Sequence, residues 1–359
     1  KFEALSLKGD NLPMIKEEFL GATAERNGME VLAVLSRDRL EKVIETWGDM
    51  IPYINYKAQI DKIPETNQIL REVGVNPENT SLVISTLLKW VQENIEFNGT
   101  RGLSFISKSS KATYDDRYGS NEDLAVLLMG MLKEAGIRVY PVLTRFYTNG
   151  KPVSSFPYPY QFDHILVVAE VGFEKYYLDP SVSFAEVNEP YWKSQNVEAV
   201  ILKRNDIEIV TTPGSDYIEN SSVGVHTISN IENNRIDIQT DIQYTGISLG
   251  FINSLKKNDD ERKNERVVNY IQDDLTTAVV DTFLIGDKSM SITYHSDGYA
   301  LKTRDRIIIN PNVFRRYEHS ATWGDERYSN FYYSYPYLIK DIYNITIPKG
   351  YEVESLPPT

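Results

Sequence analysis

A histidine and an aspartate form an acid–base couple once a fold holds them within hydrogen-bonding reach. His164 and Asp179 stand on two adjoining strand-like runs, FDHILVVAEV (162–171) and FEKYYLDP (173–180), which meet at Val171–Gly172. A hairpin turning there sets His164 opposite Asp179, with Cβ atoms about 4.5–5.5 Å apart, close enough for the carboxylate to orient the ring. Such a couple serves a nucleophile, and the favoured place for one is a helix N-terminus, where free N–H groups and the helix dipole stabilise a thiolate and a developing oxyanion. The stretch RYGSNEDLAVLLMGMLKEAGIR (117–138) supplies such a helix, beginning near Ser120, but the side chain it presents is Asn121. An amide has no ionisable proton to give His164 and does not attack acyl groups. Ser120 is the alternative nucleophile; adjacent helical residues point about 100° apart, which turns Ser120 away from a base aimed at residue 121. The simpler physical role of this stretch is a cap, with Ser120 or Asn121 accepting an amide hydrogen bond and Asp123 complementing the dipole.

The elements needed to position these groups are readable from hydrophobic spacing. Residues 1–30 show no sustained period and read as an extended lead-in, or as the tail of a preceding β domain. SRDRLEKVIETWGDMI, from Ser36, places Leu40, Val43, Ile44 and Trp47 at helical spacing. A second helix is expected from Asn79 or Thr80, with Leu82, Leu87, Trp90, Val91 and Ile95 apolar and Asn98–Gly99 marking its end. The third is the helix that begins at Ser120, with Leu124, Leu127, Leu128, Met131 and Leu132 on one face and Gly136 as the stop. IRVYPVLTRF (137–146) and the two runs bearing His164 and Asp179 then form an antiparallel sheet, which gives an α+β domain over 31–212. After the connector TTPGSDYIENSSVG, alternating stretches in 213–359 predict a mostly-β, sandwich-like domain. One solvated helix, FINSLKKNDDERKNERVVNYIQDDL, interrupts it.

Several of these segments together resemble the bacterial transglutaminase-like superfamily. Tyr118-Gly119-Ser120-Asn121-Glu122-Asp123, before a leucine-rich helix ending in Glu134-Ala135-Gly136-Ile137, is similar to that family's nucleophile motif, which typically reads Tyr-Gly-Asp-Cys-Lys-Asp. Pro141-Val142-Leu143, Phe162-Asp163-His164 and Tyr177-Leu178-Asp179-Pro180-Ser181 follow in the family's order, so the resemblance covers roughly residues 36–205. It implies a papain-like core in which Asn121 stands in the cysteine's place, His164 in the catalytic histidine's and Asp179 in the orienting aspartate's. It also implies an ancestor that performed cysteine-dependent acyl transfer on amide bonds. Because Ser120 and Glu122 also depart from the motif, the expectation is a naturally eroded site: a pseudoenzyme binding a peptide, protein or glycan, or serving as an interaction scaffold. The alternative is an active hydrolase or transferase with a non-cysteine nucleophile such as Ser120. Asn11–Glu18 and Ile347–Tyr351 resemble what flanks this domain in relatives with β domains on both sides. Those relatives are commonly exported, periplasmic or envelope proteins, and that location is expected by analogy.

Composition narrows the alternatives. The chain has 359 residues, 41% of them hydrophobic, no cysteine and a formal charge of −13. It therefore has no disulfide, thiol nucleophile or thiolate-bound zinc, and a phosphate backbone is repelled on average, which argues against a nucleic-acid partner. No apolar run reaches the roughly 18 residues of a membrane span. His226, His295 and His319 are scattered without metal-site spacing, so neither metal nor cofactor is expected. Lys1 in place of an initiating methionine predicts a processed piece of something longer. Two aromatic runs could contact a ligand: Phe156–Tyr160, whose Tyr158 and Tyr160 form an expected lip over the cleft, and Asn330–Tyr337.

Overall fold

The computed structural model describes residues 46–47, 60–101, 108–153, 155–203, 206–231, 235–314 and 335–356. The lead-in, most of the helix expected from Ser36, His319 and the start of the second aromatic run lie outside them. The fold is mixed α/β and divides into two compact units, Lys1–Gly214 with Trp323–Ser334 and Ser215–Thr322 with Tyr335–Thr359.

Among the described residues, the first unit has helices α1 (Thr66–Glu72) and α2 (Thr80–Asn94). Asn79 starts α2 by accepting a hydrogen bond from the Leu82 amide. Its buried stripe is Val83, Ile84, Leu87, Leu88 and Val91, while Leu82 is 45% exposed. Strand β1 (Glu96–Phe97) pairs in parallel with β2 (Tyr118–Gly119), and α3 (Ser110–Asp116) lies between them in sequence. After β2 comes α4 (Asn121–Glu134). Every residue of α4 from Asn121 to Leu132 is buried, not only one face, so this is the central helix of the unit. Helix α3 approaches it at Gly130, where an added Cβ would press on the Asp61 carbonyl and stand 2.7 Å from Ser110 Oγ.

The sheet beneath α4 has the order β5-β4-β3-β6-β7 and is antiparallel throughout. Its strands are β3 (Arg138–Thr144), β4 (His164–Val171), β5 (Glu174–Leu178), β6 (Glu198–Leu202) and β7 (Ile207–Thr211). Leu143, Ile165, Val167, Ala169, Val200 and Leu202 join α2 and α4 in one core, and Val142, Leu166, Val168, Ala199 and Ile201 cluster separately. Burial on both faces explains why β4 reads as a continuous apolar run and not as an alternation.

The second unit differs from the expected sandwich. Its described residues form one five-stranded sheet, ordered β10-β11-β9-β8-β14, and a two-stranded hairpin, β12-β13. The strands are β8 (Ser221–Ser229), β9 (Arg235–Tyr244), β10 (Ala278–Ile285), β11 (Ser289–Asp297), β12 (Leu301–Lys302), β13 (Ile307–Ile308) and β14 (Leu338–Ile345). Two helices, α5 (Leu249–Lys256) and α6 (Asp260–Gln272), replace the single one, because Asp259 caps a fresh start by accepting from the Arg262 amide. They pack on the sheet through Phe251 and Tyr270, whose rings reach Tyr244 of β9. Helices cover this face where a second sheet was expected, and the charges of the segment lie on the solvent side of an amphipathic α6 that buries Val267 and Ile271.

Candidate functional site

The start of α4 is locked by its own sequence. Ser120 is the N-cap: its hydroxyl accepts from the Asp123 amide at 3.2 Å, while the Asp123 carboxylate accepts from the Ser120 amide at 2.8 Å and from its hydroxyl at 2.9 Å. This reciprocal capping box commits the Ser120 hydroxyl to Asp123. Gly119 allows the close approach, since an added Cβ would stand 2.6 Å from Asp123 Cβ. The main chain ties this start to the loop after α2, through Asn98 N–H to Gly119 O and Asn121 N–H to Thr100 O, both 3.0 Å.

Asn121 is fully buried. Its Oδ1 accepts from the Ile165 amide at 2.9 Å and its Nδ2 donates to the Ile165 carbonyl at 3.1 Å. The β4–β5 ladder ends at Val167–Leu178, so Ile165 lies past the end of β5, and the Asn121 amide bonds its backbone as a neighbouring strand residue would. A thiol cannot make that pair of bonds.

His164 and Asp179 meet, though not in the expected register. Val171 pairs with Glu174, so the turn is Gly172–Phe173, with Gly172 at φ 63°, and the ladder is shifted by two residues. Such a shift keeps each side chain on its face. The chain leaves β5 at Asp179, whose Oδ2 lies 2.7 Å from His164 Nε2, both residues fully buried. The carboxylate also accepts from the Tyr191 amide at 2.9 Å, the Ser181 amide at 3.1 Å and the Ser181 hydroxyl at 2.7 Å. Burial pushes its pKa up, but the pairing with His164, the Arg101 charge and the Ser181 hydrogen bond outweigh it and hold the group at about 2.

The residue that the sequence did not reveal is Arg101. Its Nη1 lies 3.2 Å from His164 Nδ1 and 2.7 Å from Ser181 Oγ, and its Cζ lies over the rings of Phe97 and Tyr191 at 4.6 and 4.2 Å. Burial lowers the guanidinium's pKa, against the opposing pull of Asp179. A guanidinium only donates, so Nδ1 must accept and the ring proton sits on Nε2, facing Asp179. The lone pair that a general base would use is thus occupied. Ser181 Oγ is saturated too: it donates to Asp179 and accepts from Arg101 and, at 3.3 Å, from Asn121 Nδ2.

Tyr158 packs against Tyr160 and Phe156, with centroids 5.7 and 6.1 Å apart. The rings against His164 are instead Phe146 and Tyr191, each at 5.8 Å. Elsewhere, His226 bridges Thr240 and Asp341 inside the second unit, and His295 bonds Asp281. Among the described residues no acidic or histidine cluster is placed to hold a metal ion, and no helix is long and apolar enough to cross a membrane.

Comparison with known families matches residues 305–359 to a domain of unknown function with solved structure, DUF3858. A comparison with curated proteins gave no match. Among solved structures the chain is similar to a "putative protease" from Parabacteroides distasonis, at 10% identity and a TM-score of 0.37. The match covers 70% of this chain and about half, 52%, of that one.

Proposed function

We propose that this chain is a transglutaminase-like protein with a papain-like core that has lost acyl-transfer chemistry. Its former active site now serves as a frame for binding a peptide or glycan, or for docking another protein, in an exported or envelope setting. The observation that carries this reading is the state of the catalytic positions: the residue in the nucleophile's place is an amide spent on the Ile165 backbone, and His164 has its basic nitrogen engaged by Arg101. Both are buried, so neither is positioned to meet an acyl group. Ser120 as a substitute nucleophile gains no support, since its hydroxyl is committed to Asp123. The test is amide hydrolysis and transamidation by the full chain across a broad panel of peptide substrates, with His164→Ala alongside. Both proteins are expected to match the buffer; turnover by the wild type that His164→Ala abolishes would overturn the reading.

A further inference from the structure

We infer that Arg101 is an anion-recognition residue that takes the carboxylate of a ligand of low overall charge, a peptide C-terminus, beside the His164–Asp179 couple. The inference rests on the site being one that binds and does not react. A guanidinium has five N–H donors, and here the bonds to His164 and Ser181 come from Nη1 alone. Nε and Nη2 have no partner among the described residues, and neither is a sealed, unsatisfied atom, so that edge of the half-buried guanidinium meets solvent. No carboxylate among the described residues lies within ion-pair distance of it; Asp179 is already bonded by His164, Ser181 and Tyr191. A half-buried cation whose only counter-charge, Asp179, stands beyond ion-pair distance is costly to hold, and a ligand carboxylate offsets that cost.

The geometry selects the ligand class. The guanidinium carbon sits over the rings of Phe97 and Tyr191, which hold the group in place and leave the Nε–Nη2 edge, two parallel N–H groups that match a planar carboxylate. Tyr191 continues into Trp192 and Tyr147, with centroids 5.7 and 5.9 Å apart, an aromatic surface suited to the residues preceding a C-terminus. The net charge of −13 disfavours an acidic polysaccharide, whose many charges would be repelled, far more than a short chain with one carboxylate.

The test titrates the full chain with acetylated trialanine as its free acid and as its C-terminal amide, by calorimetry and by histidine ring NMR. The chain has four histidines, so His164 can be assigned with a His164→Gln variant. The free acid is expected to bind about tenfold or more tightly than the amide and to shift the His164 ring, which shares Arg101. Arg101→Gln should remove the preference, and Arg101→Lys should retain only part of it. Equal binding of acid and amide, no binding of either, tighter binding of glucuronate or inorganic phosphate, or a preference that survives Arg101→Gln would each overturn the proposal. The wild-type comparison stands even if a variant fails to fold. Turnover of the peptide would defeat the proposed function and leave the acid-versus-amide comparison to be judged separately.

Discussion

Asp179→Asn removes a fully buried carboxylate that accepts four hydrogen bonds, from His164 Nε2, Tyr191 N and both donors of Ser181. The folded group is held at about 2 against an ordinary value of 3.8, nearly two units, which corresponds to about 2 kcal/mol of stability from ionisation. Because the folded pKa is the depressed one, this contribution is complete well above pH 4 and is lost as pH falls through the folded value. About half should be gone by pH 3. At pH 7 the variant also loses acceptor geometry inside the core, so the full cost should be about 3 kcal/mol. Trp47, Trp90 and Trp192 all lie in the first unit, so urea unfolding followed by tryptophan fluorescence reports on it. The gap between wild type and Asp179→Asn should shrink steadily between pH 5 and pH 3. A gap that stays constant across that window would refute the electrostatic reasoning.

Other substitutions probe the frame. Asn121→Ala should destabilise the first unit by about 2–3 kcal/mol in the same unfolding assay, because it orphans the Ile165 amide and carbonyl in a dry interior. Asn121→Cys should be destabilised similarly and should still show no amide turnover in the peptide assay, since Arg101 keeps the His164 lone pair. Gly130→Ala should cost about 1–3 kcal/mol in thermal or urea melts despite alanine's better helix propensity, because the new methyl meets Ser110 and the Asp61 carbonyl.

The parts of this site that sequence could disclose were those carried by local pattern. The cap at Ser120, the amide at Asn121 and the two runs bearing His164 and Asp179 can all be read without a structure. The hairpin register could not be pinned, because Val171, Gly172 and Phe173 accommodate a turn at either place; the two-residue difference left His164 and Asp179 on matching faces. Arg101 was invisible for another reason. It follows Asn98-Gly99-Thr100 in a loop with no motif, and main-chain pairing between β1 and β2 carries it to the site. The role of Asn121 was equally hidden, since it depends on β5 ending before Ile165. In the first unit β6 and β7 are short strands with no clean alternation between buried and exposed faces to mark them, and the one-sided spacing expected of α4 understates LAVLLMGML, which is apolar nearly all round. In the second unit a helix is legible in 251–275, but its charges mask the spacing of Val267 and Ile271, and with it the buried face that packs on the sheet.

The central claim, that the basic nitrogen of His164 is engaged by Arg101 and unavailable to a substrate, is tested most directly by long-range ¹H–¹⁵N NMR of the His164 ring in the full chain. The expected result is the tautomer with hydrogen on Nε2 and a hydrogen-bonded acceptor at Nδ1, whose resonance moves on Arg101→Gln. A hydrogen on Nδ1, or an Nδ1 resonance indifferent to the loss of Arg101, would contradict it.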